Sequence, residues 1–444
     1  MHFLVLPTTL FKPPNDCTTI TYIEEPYYMN NTMHPNKLIL HRASMKYHQS
    51  IQDITTYYYS VDRIHTFYTN NVSTSFVAYD PIDKELKNTL HKNCNITFYD
   101  SPGFLMTYDM IHRYEKENGK LHQTSFYFWL LQYINVPRNV DNSYDQQNRK
   151  KLPKNHEPPE WQKGDGNTNI VSEAKTYCYN TFPQAPCWNT YVFDFPICKE
   201  TAIQWLKNFI RYRLQLFGPY QDSIEPKHDS PIYHSTISSS LNIGLITPHD
   251  VIDCLHSCMT TTVPMNSYEG FLRQIVGWRE YERYIYIQYS DEMKSSNYFA
   301  NMKKLNKKIW WKMSQEHSLK PLSDALYYIR RDAYISHIWR LMVLLNWMTL
   351  SEIKPSEITE WFKNMFIDGY DWVMVANCIT MGYSDKRFMR KPYLSNSNYI
   401  VKQGTAGRYS RDEQWAKQWD KLFKDFINKK KDKLKHTIYI YQAD

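Results

Sequence analysis

Residues 331–393 read RDAYISHIWRLMVLLNWMTLSEIKPSEITEWFKNMFIDGYDWVMVANCITMGYSDKRFMRKPY. Ile335, Ile338, Leu341, Met342, Leu345 and Met348 recur at helical spacing and form a core stripe. His337 and Arg340 lie about one turn apart and share a different face. Pro355 stops this helix and suits the opening turn of the next, where Glu357 and Glu360 meet the positive end of the helix dipole. Trp361, Met365 and Asp368 follow one side of that second helix. Asp368 and Asp371 close it in front of Trp372, where two acids oppose the dipole and so call for a role or a partner. Lys386, Arg387, Arg390 and Lys391, interleaved with Phe388 and Tyr393, make either a solvated surface loop or a rim for a polyanion.

The rest of the chain frames this stretch. Its 444 residues suffice for two or three domains, and a formal net charge of +8 permits an anionic partner without requiring one. No apolar run is long enough to span a bilayer, and MHFLVLPTTLFKPP lacks the charged start and cleavage site of a signal peptide. A soluble intracellular protein with no membrane association is expected, and a monomer. The eight cysteines are scattered. Cys254 and Cys258 sit in a helical pattern with no second pair, which favours buried packing over a metal site.

Residues 1–134 alternate β-rich runs with a helix-like stretch, which argues for a parallel α/β sheet. Strands are expected at Phe3–Leu6, Thr19–Ile23, Ile64–Tyr68, Ser75–Tyr79 and Asn95–Tyr99, with helices at Lys37–Ile51 and Asp83–His91. Residues 135–194, polar and punctuated by proline, read as a connection between domains. Residues 195–444 read as almost wholly helical, with helices at Lys199–Phe217, Pro248–Thr260, Tyr268–Tyr289, Asp324–Leu350, Ser356–Asp368 and from Asp412 to about Lys435.

Glu269–Tyr286, EGFLRQIVGWREYERYIY, resembles the photolyase/cryptochrome flavoproteins through its WRE core. Gly277 before Trp278, and Gln274, resemble the photolyase-related branch that includes the iron–sulfur bacterial cryptochromes and prokaryotic (6-4) photolyases. KLILHRASMKY, SYDQQNRKKLP, HSTISSSLNIGLITPHDV, AYISHIWRLMVLLNW, DGYDWVMVAN and KPYLSNSNYI match in the same order. The resemblance implies an α/β N-terminal parallel-sheet domain and a larger all-α FAD-binding domain. It also implies light-driven electron transfer from reduced FAD to a pyrimidine lesion in UV-damaged DNA.

By this resemblance His234, Ser235, Thr236, Ile237 and Ser238 correspond to the FAD-diphosphate site, although as residues they serve equally as a helix cap. Gln274, Arg279, Arg340, Asn346, Asp368, Asp371 and Asn377 are implied as further flavin neighbours, with Arg279 in charge contact with Asp368. Arg279 and Arg283 could instead pair with Glu280 or Glu282 in their own helix. Trp278, Arg283, Lys386, Arg387, Arg390, Lys391 and Tyr393 are expected to face DNA. His337 resembles the second histidine of a His–His pair and suits a proton donor for a (6-4) lesion, with Ser336 in the place of the first. A cyclobutane-dimer photolyase and a cryptochrome-like photoreceptor are the alternatives.

Several positions depart from the family. Pro321 aligns with the first cysteine of the four-iron cluster, and the 403–418 region has none, so no iron–sulfur cluster is expected. Trp361 and Trp311 resemble members of the electron relay, but Phe362 replaces the tyrosine between them. Met374 stands where some relatives carry a glutamate near the flavin. Pro7, Thr8, Thr9 and Leu10 replace the antenna turn. Glu24, Lys37, Arg42 and Ser44 remain as a possible wall for a second chromophore such as lumazine.

Overall fold

The computed structural model describes the chain except for residues 119–120, 135–145, 154–158, 160–162, 167, 226–230, 259–262, 390–391, 405–407 and 436–444. Arg390 and Lys391 therefore lie outside the described residues.

A five-stranded, all-parallel sheet occupies the N-terminal part: β1 (His2–Val5), β2 (Thr19–Ile23), β3 (Thr55–Tyr59), β4 (Ser75–Tyr79) and β5 (Asn95–Tyr99). The spatial order is β3-β2-β1-β4-β5. Register is set by pairs such as Phe3 with Ile20 and Leu4 with Ala78. Chain order reverses on either side of β1, so the carboxyl ends of β1 and β4 flank a topological switch point. The loop after β1 uses that edge to dock the helical part: Leu10 N–H donates to the Ile243 carbonyl at 2.9 Å. Gly244 follows with φ of +91°, and a Cβ there would meet Leu10 N at 2.9 Å. Only glycine suits both the left-handed turn and the close approach.

Four of the five expected strands form within a residue of their expected bounds. The fifth does not. Ile64–Asn70 is a helix, and Thr55–Tyr59 is the strand instead. Ile64, Phe67 and Tyr68 share helical spacing, with Phe67 fully buried, whereas TTYYY is the β-branched and aromatic run that suits a pleated edge. The helix Pro35–Ser50 is buried along most of its length between the sheet and the helical part. Within the stretch read as a connection, Asn169–Thr181 is a helix capped by Thr168.

The remaining residues form the larger helical part, and one buried hydrophobic cluster runs from the sheet into it. Two expected continuous helices are interrupted. Met265–Ser295 contains a π-helical segment at Arg273–Arg279. Lys320–Asp332 stops at Ala333, which adopts φ of +54°, and a second π-helical segment spans Trp339–Leu345. Such insertions are frequent at functional sites because they re-aim side chains within a helix. Pro355 opens the helix Pro355–Met365, and the next helix is Asp371–Met381. Among the described residues no helix is long and apolar enough to cross a membrane.

Candidate cofactor and substrate cavity

The π-helical segments Arg273–Arg279 and Trp339–Leu345 border one cavity of about 950 Å³, within the range of cofactor sites. Arg273–Arg279 contributes Gln274, Ile275, Trp278 and Arg279; Trp339–Leu345 contributes Arg340, Leu341, Met342 and Leu345. The segment from His234 to Ser238 forms part of the wall, and Asp368, Trp372, Met374 and Asn377 line it as well. Thirteen of the residues assigned from sequence therefore converge: His234, Ser235, Thr236, Ile237, Ser238, Gln274, Arg279, Arg340, Asp368 and Asn377, with Trp278, His337 and Tyr393.

Arg340 and Asp368 form the central ion pair. Arg340 Nη1 donates to Asp368 Oδ1 at 2.9 Å and Nη2 to Oδ2 at 3.1 Å. This forked geometry is the strong form of a carboxylate pair. Ser238 Oγ donates to Asp368 Oδ2 at 2.6 Å, and Asn242 Nδ2 donates to the Asp368 carbonyl at 3.1 Å. Arg340 Nε donates to the Ile335 carbonyl at 2.8 Å, and the guanidinium lies 4.2 Å over the Phe366 ring. The pair thus ties the His234–Ser238 segment to the turn before Asp371. Thr236 helps shape that segment by adopting φ of +51°, with Trp205 Nε1 donating to the Ser235 carbonyl at 3.0 Å.

Arg279 does not make the expected contact with Asp368. Its Nη1 donates to the Gly103 carbonyl at 2.6 Å and its Nη2 to Asn242 Oδ1 at 3.3 Å. Arg283 is wholly buried, donates to the Met106 carbonyl, and lies 4.6 Å from the Phe104 ring. Glu280 accepts from the N–H groups of Leu105 and Met106 at 2.9 and 3.2 Å. These three residues clamp the loop after β5 to the helical part. Arg283 is thereby corrected from a DNA contact to a residue of the seam between the two parts.

Two of the implied flavin neighbours also lie elsewhere. Asp371 is absent from the cavity wall: it accepts from Tyr286 Oη and pairs with Lys294 Nζ, both at 2.7 Å. It opens the helix Asp371–Met381, where the dipole favours it, so the expected conflict at a helix C-terminus does not arise. Asn346 also misses the cavity; it accepts from Ser395 N–H at 3.3 Å and donates to the Ser395 carbonyl at 3.0 Å. Lys386 and Arg387 are exposed beyond the lining, and Arg387 is paired with Asp385 and Glu292, each at 2.6 Å.

His337 projects into the cavity with its side chain 52% exposed. Its Nδ1 lies 3.2 Å from His234 Nε2. The Pro231 carbonyl, 3.0 Å from His234 Nδ1, can only accept, so that nitrogen carries the hydrogen. Burial first, then the neighbouring His337, pushes the His234 pKa down to about 3. His234 is therefore neutral and presents a lone pair to His337 Nδ1–H. His337 Nε2 faces Asp222 Oδ1 at 3.4 Å. Both ring nitrogens of His337 thus face acceptors. Ser336 is buried and does not line the cavity. Sequence spacing offered no route to the His234 pairing; only the HST block hinted at a polar turn.

The aromatic path differs from expectation as well. Phe362 borders the cavity and meets Trp361 at 5.3 Å between ring centroids. Trp361 packs against Trp310, not Trp311, at 5.2 Å and donates its Nε1–H to the Trp310 carbonyl at 2.8 Å. Trp310 then stacks on half-buried Trp347 at 5.3 Å. The four residues considered for a second chromophore are buried: Arg42 pairs with Glu24 and Glu173, while Lys37 donates to the Lys363 and Gly369 carbonyls. Ser44 is buried beside them in sequence. No group of three His, Cys, Asp or Glu residues suited to a metal ion occurs among the described residues.

Residues 5–187 match the family described as deoxyribodipyrimidine photo-lyase-related protein. A (6-4) photolyase of Agrobacterium fabrum is 32% identical over 260 residues, which is 56% of this chain and 50% of that protein. The chain thus spans about half the length of that relative. A Synechocystis cryptochrome superposes with a TM-score of 0.56 at 13% identity, over 97% of this chain and 89% of that one. An archaeal photolyase from Sulfolobus tokodaii, solved with two FAD molecules, gives 0.55 at 13% identity over 96% and 100%. The parallel-sheet part followed by a helical majority is the architecture of these proteins.

Proposed function

We propose that this chain is a light-dependent DNA-repair flavoenzyme of the photolyase-related family acting on (6-4) photoproducts, a reading supported by the family match over residues 5–187 and the 32% identity to a (6-4) photolyase over 260 residues. Its cavity suits FAD. The Ser235, Thr236 and Ser238 hydroxyls and the Arg340 guanidinium give it a polar end, while Ile275, Leu341, Met342 and Met374 give it apolar walls. Ser238, Asn242, Arg279, Arg340, Asp368 and Asn377 are the residues that would hold the cofactor. FAD supplies the light-driven electron when bound.

The chain's own residues do the rest. Trp278, His337 and Tyr393 border the cavity and would receive a nucleotide taken out of the base stack. The single observation that carries the lesion choice is His337, set on the cavity wall between His234 and Asp222. A (6-4) repair needs a proton delivered as the transferred oxygen returns to its base, and His337, half-exposed on the cavity wall with its ring held through Nδ1 by His234, can deliver it from Nε2, whose contact to Asp222 is long at 3.4 Å. A cyclobutane dimer makes no such demand.

One observation favours a second reading, a cryptochrome-like photoreceptor. Arg283 is buried and Arg387 is salt-bridged, which leaves fewer of the assigned cations for phosphate. Blue-light illumination of the purified flavoprotein with each lesion in duplex DNA separates the readings. Loss of (6-4) lesions alone supports the proposal, loss of cyclobutane dimers redirects it, and loss of neither favours the photoreceptor. We also propose that no iron–sulfur cluster is present; stoichiometric iron and sulfide would overturn that.

A further inference from the structure

Glu282 lies on the cavity wall one turn after Arg279, on the helix Glu280–Ser295 that continues the Arg273–Arg279 segment. It faces the helix Asp371–Met381, whose Met374 and Asn377 line the same cavity. The Asn377 side chain is its hydrogen-bonding neighbour. Asp368, the other cavity acid on this side, already has both oxygens engaged by Arg340 and Ser238. Among the described residues Glu282 has no paired cation: Arg279 directs Nη1 and Nη2 to the Gly103 and Leu241 carbonyls and to Asn242. Met374, on the same face as Asn377, carries a thioether that moves no proton.

We propose that Glu282 is the proton-exchange group of the cavity toward the bound flavin, an inference that rests on the reading of this cavity as a flavin site. Burial raises the Glu282 carboxyl to about 8, with Asn377 and Arg279 acting against that rise and Asp368 adding to it. The buried Cys378 thiol is the other titratable group that feels Glu282, and Asp368 is itself paired with Arg340. A neutral carboxyl at working pH can release a proton when negative charge arrives beside it. With FAD held there, light would let it take one electron from an external thiol, which would become a thiyl radical as its proton goes to solvent. Glu282 would give its O–H proton toward the ring, Asn377 and Arg279 would stabilise the carboxylate left behind, and solvent at the cavity mouth would return the proton.

The test uses the full chain loaded with FAD, reduced by light and a thiol without oxygen, and followed by absorption. Wild-type protein is expected to accumulate the protonated one-electron-reduced flavin. Glu282→Gln, retaining FAD and its thermal midpoint, should accumulate the unprotonated form, with protonation slowed by roughly 100-fold, the low end for a positioned general acid. Adding Met374→Glu to Glu282→Gln returns a carboxyl to the same space and should restore protonation. Unchanged protonation in Glu282→Gln with FAD bound overturns the inference while leaving the flavin reading intact. Absence of flavin binding in wild-type protein overturns both.

Discussion

His234 Nε2 lies 3.2 Å from His337 Nδ1, although the two residues are 103 positions apart in the chain. One ring is buried and neutral, and the other reaches into the cavity. This division assigns them different work: His234 sets the orientation of His337, and His337 meets the substrate.

If that division holds, His337→Asn should lower (6-4) repair by about 100-fold or more, the range for loss of a positioned acid. FAD content should remain at the wild-type level. His234→Asn should weaken repair less and change its pH profile, because His337 keeps its place on the wall but loses the acceptor that fixes its ring. Single-turnover repair under blue light at several pH values checks both.

The Arg340–Asp368 pair is nearly buried, with side chains 16% and 7% exposed. Removing one partner strands the other charge, at a cost of about 3–5 kcal/mol for pairs of this kind. Asp368→Asn should therefore lower the denaturation midpoint and the flavin-to-protein ratio together. Retention of FAD at full stoichiometry would argue against the pair as the anchor of the cavity.

Arg283 and Lys386 make opposite predictions about DNA. Arg283→Met acts inside the seam and should change stability without changing the salt dependence of DNA binding. Lys386 is exposed and carries no ion pair among the described residues. Lys386→Ala should reduce the slope of log affinity against log salt by about one if it touches a phosphate.

Photoreduction should follow the aromatic path seen in the fold. Trp310→Phe and Trp347→Phe should slow light-driven reduction of the flavin by an external donor, whereas Trp311→Phe should not. Flash photolysis of the purified flavoprotein distinguishes these variants.

Acid should destabilise the sheet-containing part through its buried histidines. Burial lowers His34 and His48 to about 4 and His41 to about 3. Between these values and the ordinary histidine range near 6.5, the unfolded chain binds protons that the folded chain refuses. Stability therefore rises with pH across that window and is lost as pH falls through it. Urea denaturation midpoints at pH 7, 5.5 and 4.5 should decline in that order, and His41→Gln should flatten the decline.

Much of this protein was legible in its sequence because period and turn chemistry are local. Four strands, the helix after β2, the Pro355 boundary and the approach of His337 and Arg340 to one cavity all follow from spacing within a few turns. The His234–Ser238 block and Asn377 were legible through ordered motifs. What failed depended on direction rather than type. Ile64–Tyr68 has strand-like residues but a helical spacing of its buried ones. Arg279 and Arg283 carry the charge expected of phosphate ligands, yet the loop after β5 takes their hydrogen bonds.

For residues 331–393, then, the sequence determined two helical blocks, an apolar stripe and a set of polar groups that needed partners. Only the tertiary structure decided who those partners are. The break at Ala333 and the π-helical segment at Trp339–Leu345 turn Arg340 onto Asp368 and His337 toward His234 and Asp222. The helix start at Asp371 turns that acid away to Lys294. Side-chain direction depends on where a helix is interrupted and on what packs across from it, and partners such as Asp368 for Arg340 and His234 for His337 lie 28 and 103 positions away in the chain, beyond what local spacing reveals.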